Sequence, residues 1–208
     1  MTTWALVPVK AFGRAKSRLG AHLAPEQRAR LARAMCEHTL RTLAEPALRE
    51  AGLAGTLLFT GDDEVAACGG ALGVESLHDA DFDPKRPRLA CVIDTGLGAL
   101  VERGATAALV LMADLPALDV ASVAALLDTP ADAAALAPDH TSLNTNALHC
   151  ALPFGPTAFG SGGSLRPHVA LSGQLGRRVV RIERPALGAD LDTPDMLERA
   201  PASLRALL

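Results

Sequence analysis

Tyrosine is missing from the 208 residues, tryptophan occurs once and phenylalanine five times, so aromatic side chains make up only 3% of the chain. A protein that stacks bases on aromatic platforms needs more of them, which argues against single-stranded nucleic acid as a partner. An excess of positive charge is also missing, since 20 lysines and arginines face 23 acidic residues for a net charge of −3. Duplex nucleic acid is held by a surplus of cations, so it too is excluded as a general partner. The four cysteines, Cys36, Cys68, Cys91 and Cys150, lie far apart, with no C-x-x-C pair and no histidine at ligand spacing. They read as free thiols of a reducing compartment. No apolar run reaches the length of a bilayer and no signal-peptide pattern opens the chain. The expected location is therefore the cytoplasm, with no membrane partner.

What is present is aliphatic. The chain is 49% hydrophobic and 21% charged, mostly Ala, Leu and Val on the apolar side, and its length suits one large α/β domain spanning residues 1–208. Short apolar runs at residues 4–9, 55–60, 74–77, 107–113, 133–137, 146–152 and 178–183 predict strands, several of them continuous enough to be buried on both faces. Helical patterns lie between them, at residues 26–43, 62–68, 89–103, 120–127 and 165–175, with a last one from Pro194. The first places Leu31, Met35, Leu40 and Leu43 on one side and Pro25 in its first turn. Strands alternating with helices predict a mostly parallel sheet covered on both faces. The pattern breaks at residues 146–152, which predicts a small antiparallel insertion near the site. Residues 79–88 form a short polar connection, too short for an interdomain tether.

Ligands of parallel sheets bind beyond the carboxyl ends of the strands. Three such places carry charge. Strand one empties into Lys10, Arg14, Lys16 and Arg18, with Arg28 beyond; "LVLMADLP" ends an apolar run on Asp114; "ADLDTPD" follows the last strand with Asp190 and Asp192. Cations and carboxylates at one sheet edge suit a phosphate chain and a divalent ion such as Mg²⁺, which is usually held by one or two carboxylates and substrate phosphates. Plainer readings stand beside these. Asp119 is the better helix cap, which leaves Asp114 without a structural task, and Thr193 with Pro194 forms an N-cap pair that explains neither Asp190 nor Asp192. The basic loop also reads as an ordinary solvated loop outside the core. "FGSGGSLRPH" is either a small anion nest before a helix or a tight turn in which Ser164 caps, and His168 reads as a packed or capping histidine.

The blocks "LVPVKAFGRAKSRL", "LMADLPAL", "NTNAL", "FGSGGSLRPH" and "LGADLDTPDML", in this order over residues 4–196, resemble the guanylyltransferases of coenzyme F-420 biosynthesis. The resemblance implies a single Rossmann-like nucleotide-diphosphosugar-transferase (GT-A) domain. It also implies a reaction that joins GMP from GTP to a phosphorylated three-carbon acid (phosphoenolpyruvate, 2-phospho-L-lactate or 3-phosphoglycerate), releases pyrophosphate and hands the product to a downstream transferase. By the same resemblance Asp114, Asp190 and Asp192 are metal ligands, and Thr145, Gly160 and Ser164 hold the acid. Lys16 and Arg18, with Lys10, lie on the nucleotide side, and Asp114, Lys16 and Arg18 are the catalytic set. Three departures accompany it: Asn144 stands where the family has Gly, the glycine block is one residue longer so that Gly162 or Gly163 competes with Gly160, and Leu89-Ala90 replaces a Leu-Asn pair. The first two bear on acid selectivity and the third on a guanine contact.

The implied nucleophile is a phosphate already ionised at neutral pH, so the barrier is charge repulsion and alignment, and no catalytic base is required. Two rivals remain. A nucleotidyltransferase acting on a molybdopterin or a sugar phosphate would carry a glycine-rich loop after strand one, where this chain has only Gly13. A non-catalytic nucleotide-binding subunit would have little need for carboxylates on two separate loops.

Overall fold

The structure is a computed structural model that describes residues 1–78 and 83–206. Residues 79–82 of the polar connection lie outside the described residues. Seven strands form one sheet: β1 (Thr3–Pro8), β2 (Leu53–Phe59), β3 (Glu75–Leu77), β4 (Ala107–Leu111), β5 (Ala133–Pro138), β6 (Thr145–Ala151) and β7 (Arg178–Arg181). Their spatial order is β3-β2-β1-β4-β6-β5-β7. All neighbours pair in parallel except at β6, which runs antiparallel to both β4 and β5. The antiparallel element is thus an inner strand of the one sheet and not an insertion beside it.

The helices are α1 (Pro25–Leu43), α2 (Pro46–Glu50), α3 (Asp63–Gly70), α4 (Arg88–Glu102), α5 (Val120–Leu127), α6 (Leu165–Gln174), α7 (Pro185–Gly188), α8 (Pro194–Arg199) and α9 (Ala202–Arg205). Strand β4 is buried at every position, which is why AALVL carries no alternation: apolar layers cover both its faces. On one face Val7, Leu111 and Ala137 pack with Cys36 and Leu40 of α1, Val65 of α3 and Val123 of α5. On the other, Leu6, Val110 and Leu148 pack with Ile93 and Leu97 of α4 and Leu165 of α6. Helix α4 lies so close that a Cβ on Gly96 would sit 2.6 Å from the Leu6 Cδ2 atom.

A third apolar cluster ties two of the charged loops to the rest of the molecule. Leu19, Leu31, Met35, Leu191 and Leu204 pack together, so the loop after β1 and the loop after α7 are anchored through Leu19 and Leu191, the neighbours of Arg18, Asp190 and Asp192. All four cysteines are buried and free. Among the described residues no helix is long and apolar enough to cross a membrane. Helices α2, α7 and α9 and two 3-10 turns, Phe12–Arg14 and Ser17–Leu19, were not expected from the sequence. Elements of three to five residues are too short to show a hydrophobic period.

Candidate active site

Strands β1 and β4 are parallel neighbours, so the loops that follow them emerge at one edge. Because β6 is antiparallel, its amino end lies at that same edge, Ala147 opposite Leu111 and Thr145 opposite Pro138. Backbone bonds tie the loops together: Met112 N–H donates to the Asn146 carbonyl at 3.0 Å and Leu191 N–H to the Asp114 carbonyl at 3.0 Å. Segments far apart in sequence therefore meet in one place.

Lys16 sits at the centre. Its Nζ donates to Asp114 Oδ2 at 3.0 Å and to Asp192 Oδ1 at 3.0 Å. The expectation that Lys16 and Arg18 both lie outside the core fails for Lys16, which is only 7% exposed, because two carboxylates draw its ammonium inward. Lys16 also holds a left-handed backbone, φ 54° and ψ 37°. Arg18 fits the expectation: its side chain is 76% exposed and donates to Asp192 Oδ2 at 3.3 Å. Lys10 and Arg14 are exposed too. Arg28 reaches back from α1 and braces the loop, its Nη1 donating to the Ala15 carbonyl at 3.3 Å, while its buried Nε has no hydrogen-bond partner among the described residues.

The charges answer one another. Burial alone would lower the Lys16 pKa, but the charges of Asp114 and Asp192 outweigh it and raise it above the ordinary lysine value. Burial would raise Asp192, yet Lys16, Arg18 and Lys10 hold it below the usual carboxylate range. Asp190 goes the other way: burial and then the negative charge of Asp114 push it up. It has weaker partners, Asn146 Nδ2 and His140 Nδ1, each 3.5 Å from Asp190 Oδ1. The three aspartates singled out in the sequence thus come together with more negative charge than Lys16 neutralises.

That donor set has the chemistry of a hard-cation site. Among the described residues no three acidic, histidine or cysteine side chains are grouped so as to hold a metal ion by themselves. An ion that keeps its waters and takes substrate phosphate oxygens, as Mg²⁺ does, needs only one or two carboxylates from the protein.

Strand β6 supplies both sides of the site through a β-bulge. Ala137 pairs with Ala147 but Pro138 pairs with Thr145, leaving Asn146 as the extra residue. Asn146 donates from Nδ2 to the Leu187 carbonyl at 3.0 Å, on the side of Asp190. Thr145 turns to α6, where Oγ1 lies 2.9 Å from His168 Nδ1, and its N–H donates to Ser164 Oγ at 3.0 Å. Ser164 occupies the N-cap position of α6, but its side chain caps no helix N–H; the expectation of a capping serine is replaced by this bond to β6. Thr193 likewise occupies an N-cap position without a side-chain cap bond.

The glycine block is resolved in part by contact. At Gly160, with φ +79°, a Cβ would approach Leu89 Cβ to 3.2 Å, so the left-handed backbone and the tight packing against α4 both favour glycine there. Gly162 and Gly163 face open space. Asn144 closes the preceding turn, donating from Nδ2 to Asp139 Oδ2 at 3.0 Å, while Asp139 Oδ1 accepts the Leu143 N–H at 2.9 Å and the Asn144 N–H at 3.1 Å. Ala90 is fully buried. Asn146, His168 and Asp139 were the residues that sequence reasoning missed as parts of the site. The signal for His168 was its spacing, four residues after Ser164 on one helix face.

A profile of the family described as "Guanylyl transferase CofC like" matches residues 3–153. A phosphoenolpyruvate guanylyltransferase of Rubrobacter xylanophilus is 40% identical over 98% of this chain and 95% of its own length. One of Chloroflexus aggregans is 34% identical over 96% of each chain. In shape the chain is similar to a putative nucleotide-diphospho-sugar transferase from Desulfovibrio desulfuricans G20, with a TM-score of 0.75 at 17% identity over 99% of this chain and 93% of the other. It is also similar to a CMP:2-keto-3-deoxy-manno-octonic acid synthetase solved with CTP, with a TM-score of 0.59 at 17% identity over the whole of both chains. At such identities the last two establish the fold alone.

Proposed function

The chain belongs to the CofC-like guanylyl transferase family, and on that premise we propose that it transfers GMP from GTP to phosphoenolpyruvate, releasing pyrophosphate. Phosphoenolpyruvate is the acid in the names of its relatives; 2-phospho-L-lactate and 3-phosphoglycerate are the competing acceptors. The product would enter coenzyme F-420 assembly through a downstream transferase. A phosphate oxygen of the acid attacks the α-phosphorus of GTP, the bond to the bridging oxygen breaks, and pyrophosphate leaves with that electron pair. The nucleophile is already ionised, so the protein's tasks are charge neutralisation and alignment.

The observation that carries this reading is the buried Lys16 ammonium, held 3.0 Å from carboxylates on two separate loops at the ligand-binding edge of the sheet. Lys16, Arg18 and Lys10 are assigned to the triphosphate, and Thr145 and Ser164, with the glycine stretch 160–163, to the acid. Asp114, Asp190 and Asp192 would hold a divalent ion, Mg²⁺ in the first instance, which would offset the phosphate charge and polarise the α-phosphoryl group.

The test is pyrophosphate release from GTP with Mg²⁺ and each acid in turn, with the downstream transferase added to trap the product. Release should require both the acid and the divalent ion, and GTP should be used in preference to ATP and CTP. Full activity in excess chelator would remove the metal assignment. Equal turnover of ATP and GTP would remove the guanylyl assignment, and acceptance of a molybdopterin or sugar phosphate in place of the three-carbon acids would remove the acceptor.

A further inference from the structure

His168 is completely buried on α6, tilted against Phe159 with ring centroids 4.4 Å apart. Its two ring nitrogens have different partners. The Ala158 backbone N–H points at Nε2 from 3.0 Å, and Nδ1 lies 2.9 Å from Thr145 Oγ1. A backbone N–H only donates, so Nε2 is the acceptor and carries no hydrogen. In the neutral ring the hydrogen is then on Nδ1, and Thr145 Oγ1 must accept it. The hydroxyl's own hydrogen is left to point elsewhere. Ser164 is committed in the same way, because its Oγ accepts the Thr145 N–H. Neither hydroxyl has a further hydrogen-bond partner among the described residues.

Each of these neighbouring hydroxyls accepts one hydrogen bond from the protein and keeps its own hydrogen free to donate to a ligand. Two such donors side by side suit an anion. We propose that His168 is a positioning residue of the acid site: by holding Nδ1–H against Thr145 it fixes that hydroxyl as a hydrogen-bond donor to the phosphorylated acid. The proposal rests on the reading of Thr145 and Ser164 as the acid-binding pair. It gives a role to a buried histidine that the chemistry of transfer does not itself use.

Two substitutions separate the two nitrogens. His168→Asn keeps a donor near the Nδ1 position and loses the acceptor for Ala158, whereas His168→Gln keeps an acceptor near Nε2 and loses the donor to Thr145. With saturating GTP, His168→Gln should raise KM for phosphoenolpyruvate on the order of tenfold and leave KM for GTP unchanged. His168→Asn should stay near wild type for both. In a double-mutant cycle, adding His168→Gln to Thr145→Val should cost little beyond Thr145→Val alone, because both remove the same donor. A wild-type acid KM in folded His168→Gln, or losses that multiply in the double variant, would overturn the role of His168 and leave the acid site standing. An unchanged acid KM in Thr145→Val would overturn both. Imidazole ¹⁵N NMR of the wild-type protein gives a readout without turnover: a protonated Nδ1 and a bare Nε2 are expected, and the opposite tautomer would overturn the proposal.

Discussion

Lys16 occupies a left-handed backbone conformation that costs a side-chain-bearing residue about 1–2 kcal/mol, and its ammonium stands between two carboxylates. A solvated lysine has no reason to accept that strain. Arg18, two residues on, reaches only Asp192 and stays in water. The two cations therefore predict different variants. Arg18→Ala removes a charge-assisted contact from an exposed side chain, so the fold should hold and the rate at low GTP should fall on the order of tenfold. Lys16→Ala also leaves Asp114 and Asp192 without their shared cation, so it should lose on the order of a hundredfold or more and recover little at high GTP. A GTP titration of both variants checks this, and wild-type saturation curves would return the loop to plain surface. Asp114→Asn should abolish turnover while GTP still binds, measured by calorimetry.

Single elements decide which of these side chains can meet. Asp114 and Asp119 lie five residues apart after β4 with different tasks. Asp119 Oδ1 accepts the Ser122 N–H at 2.7 Å and caps α5, while Asp114 holds Lys16. Asp119→Ala should cost about 1 kcal/mol of stability and leave kcat and KM unchanged; denaturant melts and kinetics on one preparation distinguish it from Asp114→Asn. The glycine block behaves similarly. Gly160→Ala must adopt φ +79° and push against Leu89, so it should destabilise by about 1 kcal/mol or more. Gly163→Ala, with open space around its Cβ, should be tolerated in stability, so any effect on acid KM there belongs to the ligand.

Across the whole molecule, two histidines are buried uncharged. Burial brings His149 and His168 down to about 4 from the ordinary 6.5. In the unfolded chain both take up protons below about pH 6.5, so the unfolded state binds more protons than the folded one as pH falls towards 4. Stability present at neutral pH is lost across that window, roughly 3 kcal/mol for each histidine if the shift is complete. The carboxylates held low, Asp132, Asp139 and Asp192, add their loss only below the ordinary carboxylate range. Urea midpoints at about pH 7 and about pH 5 should differ clearly, with the difference reduced in His149→Gln. Equal midpoints would mean that these rings are charged or exposed.

The strands, the longer helices and the three charged loops were legible from the chain because each rests on local physics. An apolar run of five or six residues must be buried, a period of 3.6 must cover a face, and charge at the carboxyl end of a parallel strand has a ligand-binding edge to serve. Asp114, Asp190 and Asp192 stood out because no cap or turn explained them. The direction of β6, its bulge at Asn146 and the burial of Lys16 were not local. Each depends on a partner: Pro138 for the register, α6 and α7 for the two sides of the bulge, and aspartates 98 and 176 residues away for the lysine. A run such as NTNALHC pairs equally well in either direction, so only the sheet settles which of its ends meets β4. His168 is the clearest case. Neither its tautomer nor its partner was legible from the chain, because a ring that receives one hydrogen bond and gives another acquires both only when the loop at Ala158 and the strand at Thr145 close around it.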